Sequence, residues 1–284
     1  MRLQHSRPVN HYQLPDSYRP RQSSSVWQSA PPNWQDRLSE AVERTPSSHS
    51  PSLFFRADDI GAGGCAFEAL CKLFRHHNVP LAMSVVPAWL SAVRQHRLFE
   101  CAPLEESLWG WHQHGWRHVN WQRSGKKSEF GEHRPLEKQW RDIWQGKEKM
   151  NGVFHHHLLP VFTPPWNRLS GPTLKILPQL GFKAVSIPNP LPRSFKTPVG
   201  LKNLRVQLDL HTRKAVDAAT DFQNVLAELV NLLARKEPFG VVIHHKKMTL
   251  FAFEFVDLLL HLLRSRGDVG FLSFQEILDS GDEP

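Results

Sequence analysis

The sequence predicts an α/β fold, a deformed (β/α)7 barrel formed by a single domain. Three observations carry this. Short apolar runs alternate with amphipathic segments through most of the chain, an order that implies parallel strands joined by crossover helices. About seven such runs fall within some 230 of the 284 residues, which a barrel accommodates more economically than an open sheet. The acids and histidines with chemical potential stand just after these runs, at the strand C-termini where such barrels hold their sites.

Taken in order, residues 1–50 are rich in Ser, Pro, Gln and Arg and poor in aliphatics. This composition predicts a disordered or loosely attached arm with one short helix over 33–42. The folded domain then spans 51–284. Strands are expected over 53–57, 81–86, 107–111, 159–163, 183–187, 204–210 and 239–243, with a short last one over 270–272. Helices are expected over 65–76, 88–99, 136–154, 172–180, 217–235 and 251–266. The 65–76 helix carries Phe67, Leu70 and Phe74 at helical spacing, and the 136–154 helix has Trp140, Ile143 and Trp144 on one face. Gly181 sits one position past the 172–180 segment, as a C-cap should.

Composition narrows the function classes. The net charge is +8 and the pI about 9.6, but the basic residues are scattered, with only pairs such as Lys126-Lys127 and Lys246-Lys247. The charge therefore reads as solubility, and nucleic-acid binding is a minor alternative. Three cysteines, Cys65, Cys71 and Cys101, at irregular spacing argue against a disulfide framework. The N-terminus has no apolar core of a secretory signal and no stretch is long enough to span a bilayer, so the expectation is a cytoplasmic protein without a membrane span.

Two clusters carry chemistry. An apolar strand runs into Asp58-Asp59-Ile60-Gly61, and Trp111-His112-Gln113-His114-Gly115-Trp116-Arg117-His118 holds two histidines four residues apart. Imidazoles at that spacing share one side of a helical turn, or of a loop wound like one, and begin a transition-metal site. An Asp of the doublet supplies a third ligand and leaves the other free as a base. The plain alternatives are that the acids cap the following helix and that a histidine pair arises by chance among 17 histidines. His112 reads as a buried strand residue, and His155-His156-His157 as complementing a helix dipole. Trp111, Trp116, Trp121 and Trp166 divide between core and sugar stacking. Gly61-Ala62-Gly63-Gly64 is a possible phosphate cradle, but no Gly-Lys-Ser or Gly-Lys-Thr follows, so a nucleotide loop is not expected.

In this order the motifs resemble the polysaccharide deacetylase (NodB-homology) family, the family 4 carbohydrate esterases, over 51–280. Arg56-Ala57-Asp58-Asp59 stands where that family has Thr-Phe-Asp-Asp, and His114-Gly115-Trp116-Arg117-His118 where it has His-x-x-x-His. Thr163-Pro164-Pro165-Trp166 stands for Arg-x-Pro-Tyr/Trp, and Val242-Ile243-His244 for Leu-x-His. The His-Gly-x-x-His and Pro-Pro-Trp-Asn forms are similar to a divergent branch of the family. The resemblance implies a divalent metal, usually zinc, held by Asp59, His114 and His118. Three protein ligands leave an open position, and the metal acidifies a water there. It implies Asp58 as general base, His244 as general acid and the Trp166 backbone N–H as an oxyanion donor. The substrate class is an acylated amino sugar or glycan. Thr163 replaces the family's base-orienting arginine, a role left to Arg168 or Arg56, and Asp209 is the candidate for orienting His244. Loss of that arginine motivates the alternative reading, a catalytically weak or inactive glycan-binding relative.

Overall fold

The computed structural model describes residues 12, 14–44, 50–188, 198–214 and 217–280. A curled, all-parallel sheet is wrapped by helices. The strands are β1 (Ser52–Ile60), β2 (Leu81–Val85), β3 (Trp109–His114), β4 (Leu158–Thr163), β5 (Ala184–Val185), β6 (Lys202–Asn203), β7 (Val206–Asp209), β8 (Phe239–Ile243) and β9 (Gly270–Phe271). Their order is β6-β5-β4-β3-β2-β1-β8-β7, with β9 also paired to β1. β6 and β7 are one broken strand. Its start pairs with β5 (Ala184↔Lys202) and its end with β8 (Val206↔Gly240), so the chain itself spans the seam. This gives the deformed (β/α)7 barrel expected of the sequence, with the predicted 204–210 strand forming that seam.

The α-helices are α1 (Trp34–Glu43), α2 (Cys65–His77), α3 (Ala92–Cys101), α4 (Leu136–Phe154), α5 (Gly171–Ile176), α6 (Ala218–Leu233), α7 (Leu250–Arg266) and α8 (Phe274–Asp279). β1 shows the logic of the layers. Leu53, Phe55 and Ala57 join the core beneath the helices, and Phe54 belongs to the apolar cluster with Leu159, Val161, Leu204 and Phe274. Arg56 and Asp58 share a face with Phe54, because strand side chains alternate. Arg56 reaches Ser186 at the end of β5, with β2, β3 and β4 lying between in the sheet, so this face is the barrel lumen.

Several expectations need correction. The described part of 1–50 is not loosely attached. Trp27 is fully buried among Phe251, Phe255 and His211, and α1 packs on α6 and α7. Averaging over polar neighbours hid a few aromatic anchors, which outweigh the composition once α6 and α7 offer a groove. The third strand begins and ends later than expected and takes in His112 and His114. The expected 172–180 helix breaks at Leu177 into α5 and a short 3-10 turn, Pro178–Leu180, because Pro178 cannot continue the hydrogen-bond ladder; Gly181 follows at φ 77° as its cap. Trp140 and Trp144 do share a face of α4, but it is the exposed one, where their rings stack 6.0 Å apart, while Ile143 is buried. α8 was not expected, though its capping box, Ser273 with Glu276, is visible in the sequence. Cys65, Cys71 and Cys101 are free thiols. No described helix is long and apolar enough to cross a membrane.

Candidate active site

Asp58 and Asp59 stand at the C-terminal end of β1. Neighbours on a regular strand point to opposite faces, yet both acids serve one cleft. The β1–β2 register slips between Ala57 and Ile60, and Asp59 adopts a left-handed φ of 63°. Such a bulge re-aims a side chain at a modest conformational cost. Asp59 Oδ1 then lies 3.4 Å from His114 Nε2 and 3.1 Å from His118 Nε2.

His114 ends β3, and the chain turns at Gly115, φ 57°. A Cβ there would sit 2.5 Å from Glu129 Oε2 and 2.6 Å from the Pro165 ring, so only glycine fits. The turn is a loop rather than a helix. Its clamp is Glu129, fully buried, whose Oε1 accepts the Arg117 N–H at 2.8 Å and whose Oε2 accepts those of Trp116 and His118 at 3.3 and 3.1 Å. Burial pushes the Glu129 carboxyl up, and the three N–H groups oppose this. Sequence reasoning missed Glu129, since nothing in a polar segment marks one acid as buried.

The His114 imidazole is preset as a ligand. His114 Nδ1 lies 3.0 Å from the Thr163 carbonyl oxygen, which only accepts; Nδ1 therefore carries the proton and Nε2 a lone pair. The side chains of Asp59, His114 and His118 offer ligand atoms all within 4.8 Å of one another. Donors about 2.0–2.1 Å from a tetrahedral ion stand about 3.3 Å apart, close to the two contacts that Asp59 makes. Asp59 Oδ1 is buried without a hydrogen-bond donor. Converging acceptor atoms repel unless a proton or cation lies between them, so this cluster fits a divalent ion.

Asp58 is held differently. Arg56 Nε and Nη2 donate to its two carboxylate oxygens, each at 2.8 Å. The remaining guanidinium donors reach Ser186 O at 2.9 Å, Ser186 Oγ at 2.7 Å and Asn167 Oδ1 at 2.7 Å. All five N–H groups of a fully buried arginine are thus used. Burial works against the charged form of Asp58, but Arg56, with His114 and His244, holds its carboxyl below the usual range. Of the two arginines proposed to stand in for the family's, Arg56 makes the contact. Arg168 does not, because its Nη1 donates to the Lys127 carbonyl at the surface. Thr163, at the family's arginine position, is buried and its hydroxyl meets His112 Nε2 at 3.0 Å. Burial, more than any neighbour, pushes His112 down to about 3 and keeps it neutral, and with Nδ1 also held by the Gly110 carbonyl it brackets the site instead of offering a ligand nitrogen.

His244 follows β8. Its Nδ1 lies 3.9 Å from Asp209 Oδ1, beyond hydrogen-bond reach, and Asp209 Oδ1 instead accepts the N–H groups of His211 and Thr212. The backbone N–H of His244 donates to Nδ1 of the buried His211 at 3.2 Å, a bracket the sequence did not flag. Trp166 and Asn167 both have left-handed backbones, φ 55° and 57°. The Trp166 ring packs 4.3 Å from that of His118, centroid to centroid. Trp111 is core, whereas Trp121 is exposed beneath Arg134.

No protein-family model matches the chain, and no curated protein matches it by sequence. Solved structures do match in shape. One, described as a polysaccharide deacetylase of Mycobacterium smegmatis, superposes with a TM-score of 0.59 at 14% identity, over 82% of this chain and 91% of that one. A family 4 acetyl xylan esterase of Clostridium thermocellum, solved with a cobalt ion, superposes with a TM-score of 0.51 at 14% identity, over 79% and 89% of the two chains. This chain therefore has the fold of the polysaccharide deacetylases, the NodB-homology barrel.

Proposed function

We propose that the protein is a metal-dependent hydrolase that removes an N-acyl group, acetyl in the first instance, from an amino sugar or glycan. The observation that carries this is the pairing of two differently prepared carboxylates. Asp59 converges with two imidazoles at metal-ligand spacing, and beside it Asp58 is locked ionised by Arg56. The fold is that of proteins described as a deacetylase and an acetyl xylan esterase, the latter with a bound cobalt ion.

Asp59, His114 and His118 would hold the ion, for which a mixed nitrogen and oxygen donor set favours zinc. Bound there, it would supply Lewis acidity and an acidified water. Asp58, unligated and anionic, would serve as the general base for the attacking water. His244 gives a proton to the departing amine. Asp209, 3.9 Å from His244 Nδ1, is its nearby acidic neighbour but makes no hydrogen bond to it. The Trp166 N–H is the candidate donor to the developing oxyanion, since Pro165 has none to give. The inactive-relative reading rests on Thr163 in the arginine position. Arg56 meets Asp58 from β1 instead, which favours the hydrolase.

Elemental analysis of wild type, His114→Ala and Asp59→Ala tests the reading, together with acyl release from N-acetylated sugars after chelation and zinc return. The expected result is about one ion per chain in the wild type alone, with chelation abolishing activity and zinc restoring it. A wild type that takes up no ion from zinc solutions, or a metal-free protein of equal activity, would refute it.

A further inference from the structure

A second cavity, of about 680 Å³, adjoins the metal-ligand cluster. Trp89 is the shared wall, its ring 5.7 Å from that of His118 on one side and 4.5 Å beneath Lys246 Nζ on the other. Among the described residues, four cations line the cavity, namely Arg19, Arg21, Arg94 and Lys246, and no Asp or Glu does. Among the described residues none of the four forms an ion pair. Arg19 and Arg94 donate only to main-chain carbonyls. Burial pushes the Lys246 ammonium down, Asp59 across the shared wall opposes this, and Arg21 and Arg94 add to it as like charges. His245, buried and with Nδ1 unpartnered, also lines the space.

The backbone adds to this charge. The cavity floor is Ala62–Gly64, the end of the glycine turn, and the first turn of α2, whose N-cap, Gly64, offers no side chain to its free N–H groups. A Cβ on Gly61 would lie 2.8 Å from Trp89 Cβ, and one on Gly63 2.8 Å from Arg97 Cβ, so glycine lets this turn close against the opposite wall. A helix N-terminus facing cations that no lining carboxylate pairs, across a partly buried space, is a site for a multiply charged anion. Arg19 and Arg21 come from the N-terminal segment. It is held there by the Arg21 N–H donating to Lys246 O at 2.8 Å, by Ser23 Oγ donating to Lys247 O at 2.9 Å and by Tyr18 OH donating to Met248 O at 2.9 Å.

We propose that this cavity is an anion subsite that takes a phosphate group carried by the amino-sugar substrate, next to the acyl group being removed. Several cations and a helix N-terminus converge, which suits a phosphate dianion; a single carboxylate is satisfied by one guanidinium fork. The substrate half of this inference rests on the hydrolase reading, but the binding half does not.

The test is calorimetric titration of the full chain with N-acetylglucosamine, its 1-phosphate, its 6-phosphate and inorganic phosphate, with acyl release measured on the same sugars. At least one sugar phosphate should bind about tenfold or more tightly than the neutral sugar, and more tightly than inorganic phosphate. Binding should weaken about tenfold in Arg21→Ala, Arg94→Ala and Lys246→Met, and should fall with added salt. It should persist in His114→Ala, which separates the subsite from the metal. Equal binding of neutral and phosphorylated sugars would overturn the proposal, as would loss of phosphate binding in His114→Ala alone. Inorganic phosphate binding as tightly as the sugar phosphates would overturn the substrate assignment. If phosphate binds but no sugar is deacylated, the hydrolase reading fails and the anion site stands. If neutral and phosphorylated sugars are deacylated with equal kcat/KM and no phosphate binds, the reverse holds.

Discussion

Replacing Arg56 with Met tests how the base aspartate is prepared. The side chain is fully buried, and all five of its N–H groups are used, two of them on Asp58, itself 2% exposed. Met keeps the volume and removes the charge, leaving a buried carboxylate with no partner. Losing one partner of a buried pair costs about 3–5 kcal/mol. Proton uptake sets a second scale. Without Arg56, burial raises the Asp58 carboxyl, so the folded variant holds that proton to higher pH than the unfolded chain does. The variant therefore loses more stability relative to wild type at pH 7 than at pH 5, by at most about 2.7 kcal/mol at about 1.36 kcal/mol per pH unit. The assay is urea denaturation of wild type, Arg56→Met, Asp58→Asn and the double variant at both pH values. The double variant should recover most of the loss, because an uncharged amide needs no counter-ion. Arg56→Lys should fall between, since an ammonium cannot reproduce the fork. A loss that is the same at both pH values, and that Asp58→Asn does not relieve, would mean Arg56 merely fills space.

Three further outcomes follow from the same geometry. Glu129→Gln offers one acceptor oxygen where three N–H groups converge, so the His118 loop should loosen and metal affinity fall about 10- to 100-fold by competition against a chelator; unchanged affinity would remove Glu129 from the site. Trp27→Ala should cost about 3–5 kcal/mol in chemical denaturation, because the indole is fully buried and its Nε1 donates to Leu210 O; a loss under about 1 kcal/mol would restore the picture of a dispensable arm. Burial pushes His112, His211 and His245 each down to about 3 in the folded protein. The unfolded chain takes up their protons below about 6.5, so the stability each confers is complete above that pH and is lost as pH falls toward 3, by about 2 kcal/mol apiece at pH 5. With a chelator present to remove metal effects, denaturation midpoints should drop between pH 7.5 and 5, less so in His211→Gln; equal slopes would contradict the assignment.

The sequence by itself determined the order of strands and helices, the barrel and the members of the candidate ligand set. Those follow from local signals, namely apolar runs of strand length, helical spacing and motifs confined to a few neighbouring residues. The choice of Arg56 over Arg168 as the partner of Asp58, and contacts between distant segments, were not legible. Only the fold brings Glu129 under the His118 loop, sends Arg168 outward to Lys127 and carries Ser186 across the lumen to Arg56. Only the fold seats Trp27 beside His211 and Arg19 and Arg21 beside Lys246. Composition measures an average over a segment, whereas packing depends on a few side chains meeting surfaces made elsewhere in the chain. The N-terminal segment therefore reads as an arm in one dimension and forms part of a cavity wall in three.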